Sequence, residues 1–387
     1  MKKKFKKIYI VIPLTIIIVC WLVLSHLFMN KMDIDIHIKD NYSHTCQVDD
    51  LIVYLDSDGI YCRDTNGDTD KIYNANIAKT SAVTANDEFV FFSPSVDSKK
   101  IVQIDYLGNV LKTYDVSYDI HDMYFVDDIL YVLYYSDADM RYDIKAYSGT
   151  DDMKPIDLDD SQYDHNINIE KDNYAADFHI IDNCNHYYLK ATDKNGETIF
   201  CNVYSKENGK QIFLSATNIA ISLYENKLVL FSLKSGKLNC GYIINIDDGK
   251  IIGSDTAIDI DYSYQPIKQF DEYIITATQY PHPAKGFSDN VSEQVKGDSI
   301  IIWDSRSLRA EDKKTKDHER IIYFDEKVVI TYCDRKYITY SLDTWKVLKE
   351  QPADGIENGG SYTFESCGGY VFVFDDSGGL VDSIGVG

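Results

Sequence analysis

The residues whose spacing comes nearest to metal chemistry lie in Asp64-Thr65-Asn66-Gly67-Asp68-Thr69-Asp70. Asp64, Asn66, Asp68 and Asp70 place an oxygen ligand at every second position, as calcium loops do. The EF-hand pattern also requires Gly at its sixth position and a bidentate Glu at its twelfth. Here those positions hold Thr69 and Ala75. A plain hairpin turn accounts for the segment better; any calcium bound there is expected to be structural, and no other cofactor is indicated.

Aromatic and imidazole side chains suited to recognition gather in two longer segments. Tyr163, His165 and Tyr174 belong to the stretch 159–177, and Tyr280, His282, Lys285 and Phe287 belong to the stretch 280–297. Hydrolytic chemistry has no support, because neither a G-x-S-x-G elbow nor an H-E-x-x-H helix occurs. The acid pairs Asp127-Asp128, Asp151-Asp152 and Asp271-Glu272 recur at strand ends. A catalytic dyad is needed once and a turn is needed in every repeat, so these pairs read as caps. His121, His179 and His186 read as turn or strand residues.

The elements that carry these residues repeat. A short acidic turn, an apolar run, a polar turn and a second apolar run recur, the first runs starting at Leu51, Phe89, Ile129, Tyr187, Leu228, Tyr273, Lys327 and Tyr370. The steps are 38, 40, 58, 41, 45, 54 and 43 residues. Runs such as Phe89 to Ser93 and Val371 to Phe374 are β-branched and aromatic and too short for helices. Tyrosine occurs 31 times, often alternating with Ile or Val, as suits a strand with one apolar and one wetter side. Turns at Asp64 to Gly67, Tyr106 to Asn109, Lys206 to Gly209 and Asp247 to Gly249 carry the Gly and Asn that tight hairpins favour.

A basal period of roughly 40 residues with this alternation is the spacing of propeller blades. Residues 45–387 thus resemble the broad superfamily of β-propeller repeats, with blades like those of the pyrroloquinoline-quinone and WD40 types. The resemblance implies an all-β propeller of seven or eight blades, eight favoured, and a general habit of binding. It carries no active site across, since no Gly-His pair marks the blade starts. Quinone enzymes of this kind stack the cofactor on a tryptophan beside vicinal cysteines. This chain has only Trp21, Trp303 and Trp345, and no two adjacent cysteines.

Propeller connectivity places B–C loops and D–A connectors on one face, and A–B and C–D hairpins on the other. On that scheme the stretch 159–177 is a D–A connector and 280–297 a B–C loop, so both emerge on one face, where long loops on a rigid scaffold carry binding. The eighth repeat stops after its third strand. The alternating residues 33–40 are therefore expected to close the ring as its outermost strand, with the hairpin face toward the membrane.

That membrane enters through residues 8–29, a stretch of bilayer length without a charged side chain, preceded by Lys2, Lys3, Lys4, Lys6 and Lys7. The reading is a basic cytoplasmic tail (1–7), a retained single-pass helix (8–29), a short linker (30–32) and an extracytoplasmic domain (33–387). No A-x-A-like site follows the span. The whole chain stands at −23; residues 1–31 hold six lysines and no acid, which leaves −29 on the remainder. Such a surface repels nucleic acid. Of the seven cysteines beyond the span, none forms a C-x-x-C pair, which argues against zinc-ribbon and thioredoxin-like chemistry. The function expected is non-catalytic binding, sensing or scaffolding of a protein, peptide or polysaccharide. The alternative is a surface-anchored hydrolase or lyase acting on cell-wall or extracellular polymers.

Overall fold

The computed structural model describes residues 35–40, 44–64, 67–76, 82–94, 98–136, 141–149, 153–158, 163–171, 174–183, 185–206, 219–234, 237–254, 260–261, 267–270, 273–278, 297–304, 309–357 and 360–387. These residues form strands and turns, and among them no helix is long and apolar enough to cross a membrane. The strands group into eight sheets. Seven follow one another along the chain: sheet 1 (45–74), sheet 2 (82–115), sheet 3 (120–156), sheet 4 (165–205), sheet 5 (219–261), sheet 6 (267–314) and sheet 7 (320–352). Sheet 8 joins Asp35–Asp40 to Ser361–Cys367, Tyr370–Asp375 and Leu380–Gly385.

Burial follows strand position. The first strand Ala82–Ala85 is wholly buried, and the second strands Leu51–Asp56 and Val328–Cys333 are buried at their four central positions. The fourth strands Val110–Asp115 and Val347–Pro352 are mostly exposed. Second strands have an apolar neighbour sheet on each face, which is why they read as unbroken apolar runs rather than as alternating ones. Their tyrosines are correspondingly deep: Tyr54 and Tyr131 lie in the core instead of straddling its edge.

Sheets pack in chain order. First strands touch in succession through sheets 1, 2 and 3, between sheets 5 and 6, and through sheets 7, 8 and 1. The strand Thr198–Ser205 of sheet 4 touches both sheet 3 and sheet 5, and one apolar cluster runs from Ile275 and Ile300 in sheet 6 through Ile330 in sheet 7 to Phe364 in sheet 8. The circuit of contacts closes, with first strands toward its axis and fourth strands at its rim. This is the sheet layout of a β-propeller.

Two sheets depart from the pattern in the same way. Six of the eight apolar runs found in the sequence start at the second strand of their sheet. Those at Tyr187 and Tyr370 fall in the third, because an extra strand lies on the axial side. In sheet 8 that strand is Asp35–Asp40, paired in parallel with Ser361–Cys367 and touching Arg320–Phe324 of sheet 7. The expectation of an outermost strand is thus corrected. The free backbone edge it takes is the axial one, and being parallel to a first strand it begins on the connector side.

In sheet 4 the extra strand is His165–Lys171, antiparallel to Tyr174–Asp182 from the pair His165 and Ile180 to the pair Lys171 and Tyr174. The stretch 159–177, expected as a connector loop, is largely a β-hairpin. Ile167 and Ile169 alternate with Asn166, Asn168 and Glu170, a period of two that suits a strand with one buried face.

Candidate functional site

The added strand turns sheet 4 into a surface with two opposed characters. Cross-strand pairing aligns Ile167, Phe178 and Ala191 in one row, and these side chains are buried in a cluster that continues to Leu223 and Leu228 of sheet 5. On the other face, pairing aligns Asn166, His179 and Lys190 in one row and Asn168, Asp177 and Thr192 in the next. This six-residue polar grid shares its face with Tyr188, which packs on Tyr131 and Leu133, so it is directed toward sheet 3.

Hydrogen bonds set the grid's orientation. His179 Nδ1–H donates to Asn166 Oδ1 at 2.7 Å, while the Thr192 hydroxyl donates to His179 Nε2 at 3.2 Å. Asn168 Nδ2 donates to Asp177 Oδ1 at 2.6 Å. Burial pushes the His179 pKa down, Asp177 pulls it up and Lys190 lowers it. The imidazole is therefore neutral near pH 7 and presents no charge. The Asn166 and Asn168 side chains are both exposed. Tyr163 closes one end of the grid, its ring tilted on that of His179 at 4.9 Å between centroids.

Of the ligand-binding residues expected from sequence, Tyr163 lies at this grid. His165 stands on the register position of Ile167, hence on the opposite face. Tyr174 begins its strand opposite Lys171. Tyr280, His282, Lys285 and Phe287 lie outside the described residues, as do residues 8–29 and Asn66. Of the oxygen ligands, Asp64 turns inward: its Oδ1 accepts the Asp68 amide at 2.9 Å, closing the hairpin. Asp68 and Asp70 are exposed, Asp70 opposite Cys62. Among the described residues no group of three His, Cys, Asp or Glu side chains converges as a metal site.

Other titratable groups link neighbouring sheets, with His186 and Asp298 fully buried. His186 donates from Nδ1 to Asp127 Oδ2 at 3.1 Å and accepts at Nε2 from the Tyr131 hydroxyl at 2.7 Å. Asn185 adds a backbone and a side-chain bond to the same carboxylate. Asp127 is one of the acidic turn residues read as caps, and it holds the left-handed conformation at φ 50. From there it ties sheet 3 to sheet 4. Elsewhere Asp298 Oδ2 accepts the Ile321 amide at 2.8 Å, joining sheets 6 and 7, and the Tyr337 hydroxyl donates to Asp382 Oδ2 at 2.8 Å, joining sheets 7 and 8. Cys46, Cys62 and Cys201 are free thiols; burial raises all three pKa values, that of Cys62 to about 11 with help from Asp70.

No family model matches the chain, and no protein of curated function matches its sequence. Solved structures match in shape. The computationally designed Ika8 protein superposes with a TM-score of 0.51 at 12% identity, over 90% of this chain and 98% of that one. BamB from Moraxella catarrhalis gives 0.47 at 8% identity, over 90% and 96%. Hsv2 of Kluyveromyces lactis gives 0.45 at 7%, over 81% and 99%. At such identities the likeness is one of fold.

Proposed function

We propose that this chain is an eight-bladed propeller, tethered outside the cytoplasm by residues 8–29, that works as a non-catalytic binding or scaffolding module. The observation that carries the reading is the contrast between two classes of polar group. The carboxylates and imidazoles at the sheet junctions make hydrogen bonds with one another or with backbone amides. On sheet 4 the exposed Asn166 and Asn168 are held in register by hydrogen bonds to His179 and Asp177. A catalytic site needs a titratable group that reaches substrate; His186 and Glu365 are buried at sheet junctions, and His179 is held by Asn166 and Thr192. Preorganised neutral amides suit recognition.

The parallel course of Asp35–Asp40 puts the connector side of the ring toward the membrane in this reading, since the segment leading from residues 8–29 enters there. The ligand is a protein, peptide or polysaccharide outside the cytoplasm.

A pull-down with the full chain in detergent tests the function. Wild type is compared with a variant carrying Asn166→Leu and Asn168→Leu and with one lacking residues 280–297. Loss of specific partners in either variant supports the reading. Identical recovery by all three, or turnover of a polymer substrate by the wild type, overturns it.

A further inference from the structure

We propose that the hairpin of sheet 2 carrying Leu107, Val110 and Leu111, with the acidic turns beside it, is a docking surface for a protein segment that presents apolar side chains flanked by Lys or Arg. This rests on the reading of the chain as a binding module and names a surface and the chemistry of its partner.

The chain supplies its own control. Four turns share the pattern Asp-x-x-Gly: Asp64 to Gly67, Asp105 to Gly108, Asp193 to Gly196 and Asp375 to Gly378. In the last three the aspartate Oδ1 accepts the amides two and four residues on, at 3.0 and 2.8 Å for Asp105, 2.8 and 2.9 Å for Asp193, and 2.8 and 3.0 Å for Asp375. The Asp and the Gly therefore set the backbone, and the third position is open to any residue the surface needs. It is Asn66, Asn195 and Ser377 in three of the turns and Leu107 in the fourth. Leu107 is 86% exposed, and the strand that follows adds Val110 and Leu111, each about half exposed. Sheet 7 also opens its fourth strand with exposed Val347 and Leu348, but its turn puts Leu342 in the core. Among the described residues only sheet 2 gathers three exposed large apolar side chains within five positions, a grouping that marks contact surfaces rather than scattered surface residues.

The hairpin is also held in place. A Cβ on Gly108 would collide with the Ile72 carbonyl of sheet 1, so only glycine lets the turn rest against that strand, and the Tyr106 hydroxyl donates to the Asn86 carbonyl at 2.5 Å. Apolar groups fixed in this way lose little freedom on binding.

Charge selects the partner. A–B and C–D hairpins emerge on the same side of a blade, so Leu107 shares its face with the A–B turns of sheets 1 and 2. Those turns expose Asp49, Asp50, Asp87 and Glu88, and among the described residues none of the four makes an ion pair. Burial raises the Tyr106 pKa, with Cys46 and Cys62 next, and Asp87 and Asp49 add to the shift, so both carboxylates stand close to the residue before Leu107. The matching turns of sheets 4 and 8 hold Asn183 and Asn185, and Gly368 and Gly369; the acids are thus no more a requirement of the turn than Leu107 is. Apolar anchors rimmed by carboxylates repel an anionic partner and a second copy of the same patch, and are complementary to apolar anchors rimmed by cations. In the tethered reading this face points away from the bilayer.

The test uses the full chain in nanodiscs of zwitterionic lipid, titrated in a calorimeter with the heptapeptides KKLKLKK, KKSKSKK and EELELEE against empty nanodiscs. The expected result is that KKLKLKK binds and the other two do not, that added salt weakens it, and that Leu107→Asn and the pair Asp87→Asn with Glu88→Gln each reduce its affinity at least about tenfold. Leu107→Asn installs the residue that two sister turns already hold, so it should melt with the wild type, which separates lost contact from lost fold. No binding of KKLKLKK, equal binding by wild type and both variants, binding of EELELEE as tight as that of KKLKLKK, or a wild-type dimer in sedimentation that Leu107→Asn dissociates overturns the proposal. Any of these results beside a pull-down that still depends on Asn166 and Asn168 sinks this inference alone and leaves the binding-module reading standing.

Discussion

Two junctions in the ring each bury a histidine against a carboxylate, and they are not equivalent. Between sheets 3 and 4, His186 is fully buried with both ring nitrogens engaged, Nδ1 by Asp127 and Nε2 by Tyr131. Between sheets 8 and 1, His44 donates from Nδ1 to Glu365 Oε1 at 2.9 Å and Thr45 donates to Glu365 Oε2 at 3.3 Å, but His44 Nε2 is buried with no hydrogen-bond partner. The first is a satisfied lock between chain neighbours. The second joins residues 321 apart in sequence and leaves one polar atom unmet, a state that costs free energy. Around it Arg63 reaches the Tyr370 ring at 4.2 Å and Ser383 at 3.2 Å, and the Leu380 amide bonds to Asp56 at 3.2 Å. The junction of sheets 8 and 1, the seam of the ring, thus carries several polar links beside the apolar cluster of Ile52, Tyr54, Phe372 and Phe374.

The comparison can be broken most directly at Glu365. Glu365→Leu leaves buried His44 and Thr45 without their acceptor, and a loss of about 3 kcal/mol is expected in urea unfolding. A loss under about 1 kcal/mol would show that the seam is held by apolar contact alone. His186→Ala should cost less, about 2 kcal/mol, because Asp127 keeps its bonds to Asn185 and can take up water. Equal losses at the two histidines would erase the distinction drawn between the junctions.

Acid should act on the satisfied junction. Burial pushes the His186 pKa below its ordinary 6.5, with Asp127 opposing the shift. Between that lowered value and 6.5 the unfolded chain binds the proton and the folded one does not. Stability contributed by this group is present above 6.5 and lost as pH falls through the window beneath it. Urea midpoints measured from pH 7.5 to 5 should therefore fall, and His186→Gln should flatten the slope. A slope unchanged by that substitution would reassign the effect to other groups.

Tyr131→Phe removes one donor to His186 Nε2 while Asn183 Nδ2, at 3.0 Å, remains. About 1 kcal/mol is expected, measured in the same way. The smallest effect concerns the thiols. With their pKa values raised, Cys46, Cys62 and Cys201 should react with iodoacetamide at pH 8 far more slowly than a free peptide thiol, as read by mass spectrometry, and rapid labelling of Cys201 would contradict its burial.

Much of the fold was legible because its signals are local. The acidic turn followed by an apolar run located a strand in every sheet, since turn chemistry and strand burial act over a few residues. The strand His165–Lys171 was missed although its period of two is plain in the sequence. Asn166, Asn168 and Glu170 at alternate positions match a loop as well as they match the polar face of a strand, and only the buried partner row of Phe178 and Ala191 decides between them. Tyr163 was found as a recognition residue by type. His179, on which it rests, was read as a bland strand residue, because nothing local shows that pairing will set it between Asn166 and Lys190. Asp127 was read correctly as a turn residue and incompletely as a cap, since His186 lies 59 residues away in the chain.

What the sequence determined by itself is the repeating sheet, because each hairpin is specified within reach of its own turn. The tertiary structure alone decided which edge the strand Asp35–Asp40 takes, which turn acids become locks, and which face of sheet 4 is left polar. Those outcomes depend on surfaces that meet only when the ring closes and remote segments are brought into register.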